Sequence, residues 1–310
     1  MPAFVFRGLE EADIFQALKG GKMITSLTNM RVKQLVALQE KSRVRNREGL
    51  FAAEGIKMFE EAPVCRIREI YLGRELREQL SKGIRYETIW KKVAECQRQG
   101  TLVEEVSEEV LKKISDTRTP QGILFVAEQF SYSSEELIKG ARERWENGGR
   151  PPLFLLLEDI QDPGNLGTML RTGEGAGVDG VIMSRGTVDI YNPKTIRSTM
   201  GSLYRVPFLY TDSLGQTIAL LKENGVLVYA AHLKGEKYYD EISYEGGSAF
   251  LVGNEGKGIK EETAALADAY LKIPMAGRLE SLNAAVAAAL LLYQASGYVR
   301  KEKKKIDKGA

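Results

Sequence analysis

Gly253-Asn254-Glu255-Gly256-Lys257-Gly258-Ile259 follows the apolar run Phe250-Leu251-Val252. Ile273-Pro274-Met275-Ala276-Gly277 comes shortly after and runs into Ser281-Leu282-Asn283. Upstream stands Asn165-Leu166-Gly167, with Arg171 one helical turn beyond that glycine. Each cluster falls where a strand hands over to a helix. One end of one sheet can therefore carry all three, and that is where open α/β folds hold their ligands.

The surrounding apolar runs define the sheet. Residues 153–157 are unbroken apolar, and 178–183, 225–231, 250–252 and 270–273 repeat the pattern. Such strands are buried on both faces, as in parallel sheets. Helices are expected between them at 166–176, 193–200, 213–223 and 259–266, with a long final helix from about 281 to 298. The alternation predicts an α/β domain over residues 151–299: a mostly parallel sheet with helices on both faces. The basic tail, 300–310, is expected to be a frayed, solvated end that can touch phosphates.

Upstream, shorter units alternate. Strands are expected at 50–53, 67–72, 84–89 and 123–127, with a further extended piece at 102–103, and helices at 56–61, 75–80, 91–97 and 108–114. They predict a small α/β sandwich over residues 23–128, a normal domain size. Ser115-Asp116-Thr117-Arg118-Thr119-Pro120-Gln121-Gly122 is a polar loop rich in turn formers. Residues 28–41 have helical periodicity in Val32, Leu35, Val36 and Leu38. Arg31, Lys33, Lys41, Arg43, Arg45 and Arg47 surround it, and the stretch reads equally as a solvated face or an RNA contact. Residues 129–150 read as a linker that contains a polar helix at 135–145 and is closed by Gly148-Gly149 and Pro151-Pro152. Residues 1–22 read as a non-native or disordered extension. Met23-Ile24-Thr25-Ser26 resembles a natural start, and Lys19-Gly20-Gly21-Lys22 is what a purine-rich ribosome-binding site encodes in frame. Finding Met1 or Pro2 at the N-terminus of native protein would exclude that reading.

Composition narrows the function classes. The 310 residues suggest two domains, and the 43% hydrophobic content is too high for disorder. The net charge of +2, from 44 basic and 42 acidic residues, neither demands nor excludes a nucleic acid. No apolar run approaches the roughly 18 residues of a membrane span, and no signal core is evident. Cys65 and Cys96 lack metal spacing and read as buried or idle thiols of a cytoplasmic protein. A single histidine, His232, excludes a histidine-rich zinc site, and no metal is expected. His232 follows an apolar run and reads as a loop histidine beside a pocket rather than a general base.

Two glycine patterns are decoys. Gly175-Ala176-Gly177-Val178-Asp179-Gly180 matches GxGxxG, but it ends a helix and leads into a strand, the reverse of a dinucleotide loop. It reads as a C-cap and turn. Gly258 is followed by Ile259, so the 253–259 run lacks the Gly-Lys-Ser/Thr of a phosphate loop. Its glycines still permit positive φ and close approach, so the loop reads as a ligand cradle holding Glu255. Ser281 or Asn283 can cap the final helix. Ile273, Met275 and Leu282 form an apolar wall beside it, suited to an adenine ring and a thioether chain.

Together the three clusters resemble the SpoU (TrmH-type) RNA ribose 2′-O-methyltransferases. Asn165, Gly167 and Arg171 match the first motif, and Gly253, Glu255, Gly258 and Ile259 the second. Ile273-Pro274-Met275, Gly277 and Ser281-Leu282-Asn283 match the third. Residues 24–128 are similar to the family's ribosomal-protein-like substrate-binding domain. The resemblance implies a deep trefoil knot, a homodimer using the final helix, and S-adenosylmethionine as cofactor. It places that cofactor against Gly253, Gly258, Ile259, Ile273, Met275 and Leu282, and the catalytic work on Arg171, Asn165, Glu255, Ser281 and Asn283.

A guanidinium is effectively never deprotonated in proteins. Arg171 is therefore expected to hold the adjoining phosphate or the developing alkoxide, unless it merely pairs with Glu174. Asn165 can cap its own helix and hold a backbone or substrate group. Ribosomal RNA is the expected substrate, with transfer RNA as the alternative. A non-catalytic RNA-binding assembly factor is the competing class, and a nucleotide-dependent enzyme the third.

Overall fold

The computed structural model of the chain describes residues 23–81 and 87–306. The expected extension at 1–22, residues 84–86 of one expected strand and residues 307–310 of the tail lie outside them. The chain divides into two units between Gln129 and Phe130.

In the first unit, α1 (Met30–Glu40) and α2 (Ser42–Glu48) lead into β1 (Leu50–Glu54) and α3 (Ile56–Glu61). Then come β2 (Ile67–Gly73), α4 (Arg74–Ser81), α5 (Glu87–Arg98), β3 (Leu102–Val106), α6 (Glu108–Ile114) and β4 (Ile123–Glu128). The sheet order is β1-β4-β2-β3, antiparallel except between β2 and β3. Val32, Leu35 and Leu38 of α1 pack on Tyr71, Val106, Val110 and Leu124, so the periodic face read from sequence is the core face.

Two expectations fail here. Residues 87–89 open α5 rather than ending a strand, because Ile89, Val93 and Cys96 are buried at helical spacing. Arg45 is 3% exposed and points inward; its Nη1 donates to the carbonyls of Leu38 at 2.7 Å and Gln39 at 2.9 Å. It satisfies the open carbonyls at the end of α1 and drops out of the basic face.

The second unit begins with α7 (Ser134–Glu146), β5 (Leu153–Leu157), α8 (Pro163–Ala176), β6 (Gly180–Ser184), α9 (Pro193–Thr199) and β7 (Phe208–Thr211). It continues through α10 (Leu214–Glu223), β8 (Val226–Ala231), β9 (Lys237–Tyr238), β10 (Gly247–Val252), α11 (Glu261–Ala264), β11 (Ala269–Lys272) and α12 (Ala284–Ile306). The seven-stranded sheet has the order β7-β6-β5-β10-β8-β11-β9, and its pairings are parallel. The polar helix expected within residues 129–150 is α7, and its Ile138 and Ala141 sit in this unit's core with Phe154, Ile182 and Leu221. Strands β7 and β9 escape the sequence reading because they are short and only half-buried. The expected helix at 259–266 contracts to α11. The tail continues as helix through Ile306, since its Lys, Glu and Arg residues are good helix formers.

The ends of α8 position the site. Asp162 is its N-cap, accepting the Asn165 N–H at 2.8 Å, with Pro163 in the first turn. Gly177 ends it at φ +79°, as the decoy argument required. A Cβ on Gly167 would stand 2.4 Å from Ser198 Cβ, so this glycine lets α8 lie against α9. Among the described residues no helix is long and apolar enough to cross a membrane.

Candidate active site

Strands β8, β10 and β11 end beside a cavity of about 660 Å³, within the roughly 300–1,000 Å³ span of ligand sites. Gly253, Gly258, Ile259, Ile273, Met275 and Leu282 all border it, as do Glu255 and Ser281. The two downstream clusters are thus two walls of one cavity.

The 253–259 loop closes on itself. Asn254 and Gly258 exchange backbone hydrogen bonds of 3.1 and 2.9 Å, and Asn254 Oδ1 accepts the N–H groups of Gly256 and Lys257, each at 2.9 Å. Gly258 has φ +72°. A Cβ on Gly253 would lie 2.3 Å from the Gly258 carbonyl carbon and the Ile259 nitrogen. The chain passes itself too closely there for any side chain.

Glu255 is the junction of the three clusters. Its Oε1 accepts from Asn165 Nδ2 and from the Asp162 N–H, and its Oε2 from the Gln161 N–H, each at 3.0 Å. Asn283 Nδ2 donates to Asn165 Oδ1 at 2.9 Å. Burial pushes the Glu255 carboxyl up, but the hydrogen bonds from Asn165 and the two backbone amides outweigh it and hold it below the usual glutamate value. It is therefore an ionised organiser rather than a proton donor at neutral pH. Asn165 does not cap α8, since Asp162 does. Asn283 Oδ1 caps α12 through the Ala285 N–H at 2.9 Å, leaving Ser281 exposed at the cavity edge.

Sequence reasoning missed the brace beneath this junction. Asp159 holds φ +55°, where non-glycine residues are rare. Its carbonyl accepts from Asn254 Nδ2 at 2.8 Å and Gln161 Nε2 at 3.0 Å. Its carboxylate accepts from Ser184 Oγ at 2.7 Å and pairs with Lys260 at 2.8 Å. Beside it, buried Glu158 accepts the Lys260 N–H at 2.8 Å and Thr263 Oγ1 at 2.6 Å. No sequence signal marks a left-handed aspartate. The Asp162-Pro163 pair, by contrast, is a readable helix start.

Arg171 is exposed and makes no hydrogen bond or ion pair among the described residues. The salt bridge with Glu174 does not form, because Glu174 pairs with Arg205, one contact being 3.1 Å. Arg171 does not border the cavity; it lies on α8, beyond Gly167 and its contact with α9. His232 does border it, following β8 with Nδ1 accepting the Lys234 N–H at 3.1 Å. Among the described residues no group of His, Cys, Asp and Glu could hold a metal.

The donor set fits S-adenosylmethionine. Ile259, Ile273 and Leu282 offer apolar contact, while the glycine loop presents backbone at close range.

A model of the SpoU rRNA methylase family matches residues 152–293, and one of the MRM3-like substrate binding domain matches residues 29–125. The chain is similar to the 23S rRNA (guanosine(2553)-2′-O)-methyltransferase RlmP of Bacillus subtilis (strain 168). The two are 35% identical over 280 residues, covering 89% of this chain and all of that protein (100%). Among solved structures it is similar to an AdoMet-bound rRNA methyltransferase from Sinorhizobium meliloti, with TM-score 0.74 and 32% identity over 89% of this chain and 98% of that one. An RNA 2′-O ribose methyltransferase structure gives TM-score 0.67 and 29% identity over 88% and 98%.

Proposed function

We propose, for a chain that belongs to the SpoU rRNA methylase family, that it transfers a methyl group from S-adenosylmethionine to a ribose 2′-hydroxyl of ribosomal RNA. The observation that carries the reading is the hydrogen-bond chain Asn283–Asn165–Glu255, which ties the three clusters together beside a donor-sized cavity. A binding module has no need of that constellation.

When bound, S-adenosylmethionine supplies the electrophilic methyl carbon. The chain's own residues then have to orient and to manage charge. Gly253, Gly258, Ile259, Ile273, Met275 and Leu282 hold the donor. Glu255 fixes Asn165, and Asn165 fixes Asn283, so the first turns of α8 and α12 keep a set geometry. Ser281 and Asn283 offer hydrogen bonds near the ribose. Arg171 binds the adjoining phosphate through its fork and stabilises the developing alkoxide. The hydroxyl proton leaves to a phosphate oxygen or water.

The same reading includes a homodimer, a trefoil knot and cytoplasmic action. Val286 and Tyr293, 48% and 47% exposed and seven residues apart on α12, support a partner on that helix face. The bacterial origin of the relatives supports the compartment. In a thermal-shift test, S-adenosylhomocysteine is expected to raise the melting temperature while NAD and ATP leave it unchanged. A shift with either nucleotide alone would overturn the reading.

A further inference from the structure

The polar loop 115–122 has no task in the reaction, yet the first unit braces it firmly. Glu54, the last residue of β1, accepts Ser115 Oγ and Thr117 Oγ1 on Oε1, both at 2.7 Å, and the Asp116 N–H on Oε2 at 3.0 Å. Gln121 Oε1 accepts the Ile56 N–H at 2.9 Å. Gly55 and Gly122 flank the loop at φ +108° and +83°. A Cβ on Gly122 would meet Leu76 Cβ at 2.7 Å, so its close seat is also fixed. A surface loop normally spends little structure on its own rigidity.

Its charge is one-sided. Glu54 is committed inward, and four exposed cations stand around the loop with no hydrogen bond or ion pair among the described residues: Lys57, Lys112, Lys113 and Arg118. Lys112 and Lys113 form the last turn of α6, which runs into the loop, and Arg118 lies within it. Lys57 adjoins Ile56, whose amide the loop binds. Asp116 is the acidic residue within the loop. The 31–47 stretch makes a weaker case. There Arg45 is buried, Arg47 pairs with Glu48 at 2.8 Å and Arg31 faces Glu104 at 3.9 Å. Lys33, Lys41 and Arg43 stay exposed there.

We propose that the Glu54-braced loop, with Lys57, Lys112, Lys113 and Arg118, is the surface through which the first unit docks the phosphate backbone of structured RNA. The proposal rests on the RNA methyltransferase reading and adds to it where the RNA is held. Lys and Arg side chains, hydroxyls and backbone amides are the groups that contact phosphates. A loop already ordered loses less entropy on binding.

The test compares full-length wild type with the double variant Lys57→Glu, Arg118→Glu. Binding to an unmodified transcript of ribosomal RNA is measured across a salt series. A charge-matched control, Lys91→Glu with Arg98→Glu, lies on α5, where Arg98 precedes β3 at the opposite sheet edge. The loop variant is expected to bind about tenfold or more weakly at low salt, with the slope of log affinity against log salt reduced by roughly 1.5–2. The neutral pair Lys57→Gln, Arg118→Gln is expected to reduce the slope equally, with an unchanged melting temperature and unchanged S-adenosylhomocysteine affinity. The control should stay within about twofold. Equal losses in loop variant and control, or no loss in either while the wild type still methylates, would overturn the docking surface alone. A wild type that neither binds nor methylates the transcript would overturn both the surface and the functional reading.

Discussion

Asn165 and Glu255, 90 residues apart in sequence, meet in one 3.0 Å hydrogen bond that joins the first turn of α8 to the glycine loop after β10. Glu255 accepts two backbone amides as well, so all three donors face a carboxylate. An amide in its place can satisfy the donors on one atom only.

Glu255→Gln is therefore expected to weaken S-adenosylhomocysteine binding about tenfold, since hydrogen bonds to a charged group carry roughly 1.5–3 kcal/mol. The same logic gives a pH dependence. The folded carboxyl lies below the ordinary value of 4.5, so its stabilisation is complete above pH 4.5 and is lost as pH falls through the folded value. Denaturant titration of the wild type should show unfolding free energy falling in that acid range, and the Gln variant should lack this component.

Gly253→Ala puts a methyl group 2.3 Å from the backbone at Gly258 and Ile259. Relief requires separating the Asn254–Gly258 pair that shapes the cradle. Donor affinity is expected to fall roughly a hundredfold, about 2.8 kcal/mol. Gly256→Ala is the contrast. Its Cβ would meet the Asn254 side chain at an ordinary 3.6 Å, and affinity should stay near wild type.

Asp159 combines a left-handed backbone with a carboxylate bound to Ser184 and Lys260. Asn tolerates that conformation and keeps a hydrogen-bonding oxygen, whereas Ala does neither. Asp159→Ala is expected to cost about 2 kcal/mol of unfolding free energy and Asp159→Asn under about 1 kcal/mol, measured by denaturant titration. Equal losses would mean that backbone conformation plays no part.

The fold was largely legible because parallel strands such as 153–157 and 250–252 are apolar without interruption, and Gly177 punctuates as a C-cap must. The wall of the cavity was legible for a related reason: glycine at 253 and 258 marks backbone that needs close approach or positive φ, and proline at 274 marks the end of a strand. The partners of Glu255 were not. Two of its three donors are the backbone amides of Gln161 and Asp162, which any residue except proline supplies. Arg45 looked like part of a basic face because sequence cannot tell an inward guanidinium from an outward one. Strands β7 and β9 were missed because half-buried short strands carry little pattern.

In the proposed mechanism Arg171 is where binding and chemistry separate. It is exposed, unpaired among the described residues and outside the cavity lining. Arg171→Ala is expected to keep S-adenosylhomocysteine affinity while lowering methyl transfer roughly 10²–10³-fold, the usual loss for one charge-stabilising group. Undiminished transfer would remove Arg171 from the mechanism.

The most direct measurement uses purified protein, S-adenosylmethionine and unmodified ribosomal RNA, followed by complete digestion to nucleosides and mass spectrometry. Transfer to a ribose 2′-hydroxyl predicts a 2′-O-methylated nucleoside, with the added mass on the sugar fragment, formed far more slowly when Arg171→Ala replaces the wild type. Methyl mass on a base fragment, or no methylated nucleoside from an RNA that the protein binds, would contradict it.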